Sequence, residues 1–535
     1  MPVLAGWLTS EQVPQNVIES ALTSMESVLG KHGGETSRIV QPGMGLVSYA
    51  NSSHAAKNLN EPPVLDWTPD RRTFVYRRPL SGIHGLYYIE NWPAEGNLLF
   101  ASEIRALLAV GVPRKLYVPA LSTLLQYGCI PAPWTAFKDI SIVPAGSILR
   151  WQRGKTIINP STDFQFDEPT DIHSLDEAQE QLDTLLHTSI DGLLPTHTQL
   201  VSLISSTDAS LLATTLTAQH IHNKDSSSST PSFRLTRPRH RSSPFNIVHY
   251  GYRKEQKERA VIEQVAHMLD IPLLTVTGVD QPDFWIAALT GTESPAINTR
   301  PLALHQLLHM TATKNSARVA LTGSGASVLA MNNLPLQVGQ FQAQSAISPI
   351  FSADIQQRLK SEEKWEDSLY ARKFLRQASK IADDVQQRYY LNLHIWLPDV
   401  LVHLLEKLAM QEGIAIRSPF LNSDVIEMLT RLPAQMDDGM QKDMLLRKLT
   451  QKYLPDIMSN EHASSLIFPM QSLRNAHSSD ATEILRQTLS QETIRETGIF
   501  DVDEVSKLLH QEETSRELML VFTTQLLFKI FGMGL

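Results

Sequence analysis

Apolar and polar positions divide the chain into two parts with different periodicities. Residues 1 to about 165 contain short runs of aromatic and β-branched residues bounded by Gly, Pro and Asn, such as RTFVYRRPLSGIHGLYYIEN and GSILRWQRGKTIINP. Such runs are typical of strands. Two stretches with helical spacing, 102–110 and 119–127, interrupt them. The pattern therefore predicts a β-rich sandwich domain over residues 1–165.

From Ser174, which is placed to cap a helix, strand-like and helix-like runs alternate. The runs QLVSLIS, FNIVHYGY, PLLTVTG and ARVALTG each adjoin a stretch with helical spacing. This alternation is typical of a doubly wound parallel sheet. Beyond about residue 360 the spacing is helical throughout. We therefore predict an α/β domain over residues 166–535 with a helical C-terminal part, ending in a buried helix within Leu518–Leu535.

Residues 219–244 interrupt this pattern with the stretch QHIHNKDSSSSTPSFRLTRPRHRSSP. Its composition offers little apolar surface to bury, so it is predicted to be a flexible surface insertion. The four arginines within 234–241 could bind an anionic partner or RNA. Because the chain as a whole has a net charge of −9, a solvated basic loop is the favoured interpretation and nucleic acid is not an expected partner.

Composition narrows the class of protein further. The chain has 535 residues, of which 42% are hydrophobic, and this is typical of a soluble globular protein with large cores. Its single cysteine, Cys129, excludes an intrachain disulfide and a cysteine zinc site. The N-terminal residues lack the basic and apolar stretches of a secretion signal. We expect a cytoplasmic protein without a membrane-spanning segment.

The turn in SLISSTDASLLA, residues 202–213, is the first candidate for chemistry. A strand that leads directly into a helix directs backbone N–H groups at the turn, and the helix dipole adds to an anion site there. Nucleotide contacts are therefore predicted for the turn and the first helical residues: Ser205, Ser206, Thr207, Asp208 and Ser210. The glycines that allow phosphates to approach a backbone closely are missing, so the turn alone does not define a phosphate loop.

Several long stretches of the chain resemble the asparagine synthetase family, which includes β-lactam synthetases and lasso-peptide cyclases. RPLSGIHGLYY and LLFASEIRALLAVG resemble its glutaminase-like domain, and SPAINTRPLALHQLLHMTATKNSARVALTGSGAS resembles its synthetase domain. Arg417, Pro419, Phe420 and Leu421 match the first positions of the family's R-x-P-F-L-D signature. The resemblance covers nearly the whole chain. It implies an Ntn-type glutaminase-like sandwich followed by an ATP-pyrophosphatase-like domain.

The resemblance also implies a reaction in which ATP and magnesium activate a carboxylate as its acyl-adenylate, which an amine then attacks. The family's loop S-G-G-x-D-S aligns with residues 204–209, where Asp208 is kept as the possible Mg²⁺ ligand. In the alternative register Ala209 takes the place of the aspartate. The second motif, G-E-G-A-D-E, keeps Gly323 but has Ser324 and Ser327 at two of its acidic positions.

Two further functional positions of the family are substituted. The expected lysine falls on Ala463, and the only residue nearby that could carry a positive charge is His462. Removing one preorganised charge typically costs roughly 10²–10³-fold in rate. Pro2 follows the initiator where glutamine-using members carry their cysteine nucleophile, and this excludes glutamine hydrolysis.

Other polar residues have ordinary interpretations. His305 and His309 lie four apart on a predicted helix, but no neighbouring cluster of metal ligands accompanies them. Glu406 and Lys407 match family positions, although adjacent helical residues do not share a face. Arg417, Lys442 and Arg447 keep the family's spacing and can serve structure as well as substrate binding.

Two functions remain open. The first is a glutamine-independent amide ligase or cyclase acting on a small molecule or peptide, with the serines and Asp208 of the first turn on phosphate and Mg²⁺ and Ser324 in the acyl site. The second is a pseudoenzyme that assembles with or regulates an active biosynthetic enzyme. The pseudoenzyme is favoured, because several separate catalytic positions are substituted while the motifs that serve packing are kept. A homodimer is compatible with either.

Overall fold

The structure is a computed structural model with an N-terminal antiparallel part and a C-terminal parallel one. It describes residues 3–10, 13–30, 35–50, 65–160, 171–195, 199–227, 245–251, 256–278, 284–337, 339–342, 346–457, 483–511 and 515–535. No helix within these ranges is long and apolar enough to cross a membrane.

The described residues of the N-terminal part form two antiparallel sheets and three helices. The strands are β1 Val3–Thr9, β2 Glu35–Gln41, β3 Met44–Ala50, β4 Leu65–Thr68, β5 Thr73–Arg78, β6 Tyr87–Glu90, β7 Asn97–Ala101, β8 Ser141–Ile142, β9 Ser147–Gln152 and β10 Lys155–Pro160. The helices are α1 Gln15–Leu29, α2 Ile104–Ala109 and α3 Val118–Tyr127, which confirms the two helices predicted at 102–110 and 119–127.

The two sheets pack face to face as the predicted sandwich. One has the order β2-β3-β1-β7-β6-β8 and the other β10-β9-β5-β4. Buried aromatic residues from both sheets form the core between them, and the rings of Phe74 and Phe100 lie 4.6 Å apart. Alternating inward side chains on β5 and β7 explain why strand-like patterns were readable in this part.

The C-terminal part is built on a five-stranded parallel sheet of order β13-β12-β11-β14-β15. Its strands are β11 Leu200–Ile204, β12 Phe245–Gly251, β13 Leu273–Thr277, β14 Val319–Leu321 and β15 Ala415–Arg417. The first four are the predicted ones. The prediction of helical structure throughout from residue 360 was wrong at β15, because a three-residue strand is too short to show a period of its own.

Helices surround this sheet and are the other elements of the described C-terminal part. They are α4 Leu175–Leu193, α5 Asp208–Ser227, α6 Gln256–Met268, α7 Phe284–Thr292, α8 Arg300–Asn315, α9 Ala326–Leu329, α10 Gly339–Gln342, α11 Ala353–Ser361, α12 Leu369–Ala378, α13 Asp384–Leu391, a π-helical segment Asn392–Val402, α14 His403–Gln411, α15 Ser423–Arg431, α16 Leu445–Tyr453, α17 Glu483–Thr488, α18 Gln491–Thr497, α19 Val502–Leu509 and α20 Arg516–Phe531. Short 3₁₀ turns lie at Trp365–Asp367, Pro419–Leu421 and Lys442–Met444.

Three local predictions can be compared with these bounds. Ser174 caps α4, accepting a hydrogen bond from the Glu177 N–H. The terminal helix α20 is buried along most of its length. Helix α5 continues to Ser227, so residues 219–227 of the predicted insertion are helical, because polar residues can extend a helix whose first turns are packed. Residues 228–244 lie outside the described ranges.

Helix α14 joins the two parts through adjacent acidic and basic side chains. The Glu406 carboxylate accepts a hydrogen bond from the His84 N–H at 2.8 Å. Lys407 Nζ lies 2.6 Å from Glu293 Oε2. Glu293 in turn accepts hydrogen bonds from the backbone N–H groups of Ile104 and Arg105 at the start of α2. Glu406 and Lys407 thus contact different partners, as predicted for neighbours on a helix.

Candidate functional site

A cleft of about 470 Å³ lies beyond the carboxyl ends of β11 and β14. These strands are neighbours in the parallel sheet, so the turns that follow them meet at one edge. Five of the predicted site residues line the cleft: Ser205, Thr207, Ser210, Gly323 and Ser324. Ser327 lines it as well. The position agrees with the general rule that parallel sheets place ligand sites at their carboxyl ends.

The loop after β11 directs two backbone amides at side chains of the protein itself. The Ser205 N–H donates to Ser210 Oγ at 2.8 Å, and the Ser206 N–H donates to Glu258 Oε1 at 3.2 Å. Glu258 belongs to α6 and is only 5% exposed. Helix α5 then begins, with the Leu211 N–H bonded to the Thr207 carbonyl. Two of the donors that could face a phosphate already have acceptors.

Asp208 and Ser206 do not line the cleft. Asp208 is buried, and its carboxylate lies 4.0 Å from the Nε of Arg447 on α16. Among the described residues, neither carboxylate oxygen of Asp208 has a hydrogen-bond partner, and the same is true of Ser206 Oγ. Asp208, the candidate Mg²⁺ ligand, is thus buried beside Arg447 and does not share the cleft lining with Ser205, Thr207 and Ser210. No group of three His, Cys, Asp or Glu residues suited to a metal occurs within the described part of the chain.

Gly323 opens the turn after β14 and contacts the start of α5. A Cβ at this position would lie 2.7 Å from the backbone N of Ser210 and the carbonyl carbon of Ala209. Since backbone atoms cannot move away cheaply, only glycine fits. The packing of the two turns therefore accounts for this glycine whether or not a nucleotide binds.

Ser324 is fixed through its backbone. Its N–H donates to Thr322 Oγ1 at 3.3 Å, and its carbonyl accepts from Ser418 Oγ at 2.7 Å. The Ser324 side chain faces a cleft in which Ser327 is the other residue at a family acidic position. These hydroxyls can form hydrogen bonds but supply no negative charge for a divalent cation.

Arg300, at the start of α8, is the one charged side chain among the described residues that line the cleft. Burial lowers the pKa of its guanidinium, which lies 5.8 Å from the ring centre of Trp396. Among the described carboxylates, none forms an ion pair with it. Sequence reasoning missed Arg300. The available signal was a basic residue in a first helical turn, where the helix dipole disfavours positive charge.

A second, smaller cavity of about 140 Å³ lies between the two parts of the molecule, and Arg300 and Val400 line both cavities. In it Tyr87 Oη lies 2.8 Å from His403 Nε2. Burial, with Arg78 and Lys407 nearby, lowers the pKa of His403 to about 3. His403 is therefore neutral at physiological pH, and its hydrogen-bonded ring partner is a tyrosine.

The single cysteine also lines this second cavity. Cys129 is 5% exposed, and burial raises the pKa of its thiol well above the ordinary value. A thiol in this state is a poor nucleophile, because the thiolate is the reactive form. Pro2, His462 and Ala463 lie outside the described residues.

The two predicted histidines on α8 contact each other. The ring centres of His305 and His309 lie 5.9 Å apart. Burial, and the neighbouring His309, lower the pKa of His305 to about 4. His309 Nδ1 lies 3.1 Å from a carboxylate oxygen of Glu412. Each ring thus has a local packing or pairing partner.

The antiparallel sandwich and the parallel-sheet domain match two domain families of the ATP-dependent amidotransferases and ligases. The asparagine synthase family matches residues 182–529, and the glutamine amidotransferase domain family matches residues 64–162. The first match covers more than half of the chain, so this chain belongs to the asparagine synthase family. Domains of this family use ATP with magnesium.

Other comparisons add little. A solved structure, that of the NMN synthetase from Francisella tularensis, is 13% identical, and its match covers 45% of this chain and 94% of that one with a TM-score of 0.19. That score is too low to support an inference. No curated protein sequence matches the chain at a significant level.

Proposed function

We propose that this chain is a glutamine-independent pseudoenzyme of the asparagine synthase family. In this proposal it does not adenylate a carboxylate and instead serves as an assembly or regulatory partner of an active biosynthetic enzyme. The observation that carries the proposal is the composition of the cleft. Its described lining contains no carboxylate, while Glu258 and Ser210 occupy two amides of the loop.

Magnesium chemistry explains why this composition matters. Mg²⁺ binds carboxylates and phosphates and is held poorly by neutral hydroxyls alone. Asp208, the acid that the sequence keeps, lies against Arg447 outside the cleft lining. A triphosphate bound to the Ser206 amide would have to displace the Glu258 carboxylate, and this buried anion would then lose that hydrogen-bond donor. Both effects oppose Mg·ATP binding.

Glutamine independence has separate support. The position that supplies the nucleophile in glutamine-using relatives is Pro2, which has no thiol. The chain's only cysteine is buried, and its thiol pKa is raised. Neither residue can form the thioester that glutamine hydrolysis requires.

An amide ligase or cyclase whose substrate supplies its own amine is the second candidate. Arg300, which pairs with no described carboxylate, and the 470 Å³ cleft favour it, because a partly buried guanidinium is suited to the carboxylate of a small molecule or peptide. In this alternative Ser205, Thr207 and Ser210 contact phosphate.

Calorimetric titration with Mg·ATP, together with a pyrophosphate-release assay, separates the two functions. We expect no pyrophosphate release and, at millimolar nucleotide, no binding that depends on Asp208. Binding that disappears in Asp208→Ala, with release of pyrophosphate in the presence of a carboxylate substrate, would establish the ligase and overturn the pseudoenzyme. Lys360→Met serves as a control for nonspecific loss of charge, since Lys360 is exposed on α11.

A further inference from the structure

One end of the β-sandwich carries a hollow that is separate from the cleft. Strands β5 and β9 pair with Thr73 opposite Gln152, so the turns before Thr73 and after Gln152 lie side by side. Ser10, which follows β1 of the other sheet, joins them. The hollow has a volume of about 440 Å³ and is lined by Ser10, Pro69, Asp70, Arg71, Arg72 and Arg153.

Turn geometry fixes the bases of two of the three arginines. Arg72 and Arg153 have φ angles of 45° and 51°, in the left-handed region that ordinary residues adopt mainly in tight turns. The Arg72 side chain lies over Gly43, where Cδ and Cζ would each be 3.9 Å from a Cβ. Gly43 has a φ of 82° and leaves room for the arginine. The turns of both sheets thus shape the hollow.

The charge of the hollow is unbalanced. Three guanidinium groups and one carboxylate, Asp70, line it. None of the three arginines forms an ion pair with a described carboxylate, whereas Arg38, Arg78 and Arg105 each form at least one ion pair. The chain has a net charge of −9, but the surface around this cluster carries a positive local charge, which attracts anions.

We infer that this hollow binds a compound that carries two or more linked phosphate groups. A guanidinium offers a planar fork of N–H donors that matches the oxygens of a phosphate. Three arginines around one hollow are better suited to a ligand with several neighbouring phosphate oxygens than to an anion with a single charge. The hollow is open to solvent, so a small phosphorylated compound can reach it.

This site is distinct from the nucleotide cleft. Strand β5 runs for 6 residues from the hollow toward the domain interface, roughly 20 Å at the usual rise per residue. Beyond its far end the His84 amide bonds Glu406 of the synthetase-like part. The inference therefore does not depend on the proposed function.

The test is calorimetric titration of the full chain with sodium pyrophosphate and with tripolyphosphate, without magnesium and at low salt. The variant is Arg71→Gln, Arg72→Asn and Arg153→Asn combined, since asparagine tolerates the left-handed turn positions. We expect an affinity at least about tenfold lower in the variant, and weaker binding at higher salt in the wild type. The matched control combines Arg150→Gln, Lys155→Gln and Lys138→Gln, three exposed residues outside the hollow, and should bind within about twofold of the wild type.

Three results would overturn the inference: no heat with either phosphate at millimolar concentration, equal affinity in the wild type and the arginine variant, or citrate binding as tightly as tripolyphosphate. A melting curve shows whether the variant is folded. If it is not, Ser10→Glu places a negative charge in the hollow instead and should weaken binding alone. The Mg·ATP titration is repeated in the arginine variant to distinguish the two sites. A heat of binding that is lost in the arginine variant but kept in Asp208→Ala comes from the hollow.

Discussion

Individual residues of the cleft serve packing as well as chemistry, and Gly323 is the clearest example. The family's glycine is kept, while two acids of its motif are replaced by Ser324 and Ser327 and the third by Val328. The contact between Gly323 and the backbone of Ala209 and Ser210 explains the difference. A position that holds two turns together is constrained by sterics, whereas Ser324 and Ser327 face an open cleft.

Gly323→Ala should destabilise the protein by about 1–3 kcal/mol, because its Cβ meets backbone atoms that cannot yield without moving the start of α5. Thermal unfolding measures the effect. Gly339→Ala is the matched control, since nothing lies within 4 Å of a Cβ there. A Gly323→Ala variant as stable as this control would contradict the packing argument.

Lys442 is a second single residue with a testable effect, a dependence of folding stability on pH. It is fully buried, its Nζ lies 3.1 Å from the Tyr389 hydroxyl, and burial lowers its pKa to about 7. Between that value and the unfolded pKa near 10.5 the unfolded chain binds more protons, so stability rises with pH across this window. Below pH 7 the full cost of the buried charge is present.

In Lys442→Met this rise should disappear. The measurement is the melting temperature of the wild type and the variant from pH 6 to pH 10, compared as a difference so that other titrating groups cancel. Lys360→Met, at an exposed lysine on α11, should leave the wild-type profile unchanged. A constant difference between wild type and Lys442→Met would show that Lys442 does not titrate in this range.

Among the elements, the first turn of α2 depends on a side chain from the other part of the molecule. Glu293 accepts from two backbone N–H groups of α2 and pairs with Lys407. Both ionised side chains are buried. A buried pair contributes little net stability, but removal of one partner leaves an uncompensated charge.

Glu293→Gln should therefore cost about 3–5 kcal/mol, through the orphaned Lys407 ammonium and the loss of charge at the α2 cap. Adding Lys407→Met should restore part of that loss, and denaturant unfolding of both single variants and the double variant measures the coupling. Additive effects would mean that the two residues do not act as a pair.

Much of the element order was predictable from the sequence, because most buried strands and packed helices show an apolar pattern of their own; helix α1 was not predicted. The strand β15 and the polar end of α5 were not, since three residues show no period and polar residues give no apolar stripe. Ser205, Ser210, Gly323 and Ser324 were expected at one site, and they meet because they follow neighbouring strands. The roles of Glu258 and Arg300 follow from contacts between distant segments, which local patterns do not encode.

At the scale of the whole molecule, Glu406 links the two parts through the backbone of His84. Burial alone would raise the pKa of Glu406, but hydrogen bonds and charge from His84 outweigh it and lower the pKa to about 2. A carboxylate with a lowered pKa stabilises the folded state above its unfolded pKa of about 4.5. That contribution is lost as the pH falls from about 4.5 toward 2.

Wild type should consequently lose stability between pH 5 and pH 3 more steeply than Glu406→Gln, which already lacks the carboxylate. Melting temperatures across this range, with limited proteolysis between the two parts, report the effect. Glu26→Gln removes a carboxylate whose ion pair lies within the sandwich, and it should keep the wild-type slope. If the melting temperatures of wild type and Glu406→Gln fell in parallel as the pH is lowered, Glu406 would not be the source of the acid sensitivity.

The buried state of Cys129 has a practical consequence for spectroscopy. Because this thiol is enclosed and is the only one in the chain, a cysteine introduced on the surface becomes the single site that a thiol-directed probe labels readily. Leu369 is 89% exposed at the start of α12 and can be replaced without opening a core. One spin label or fluorophore at this position would report on motions of the helical region without interference from a second label.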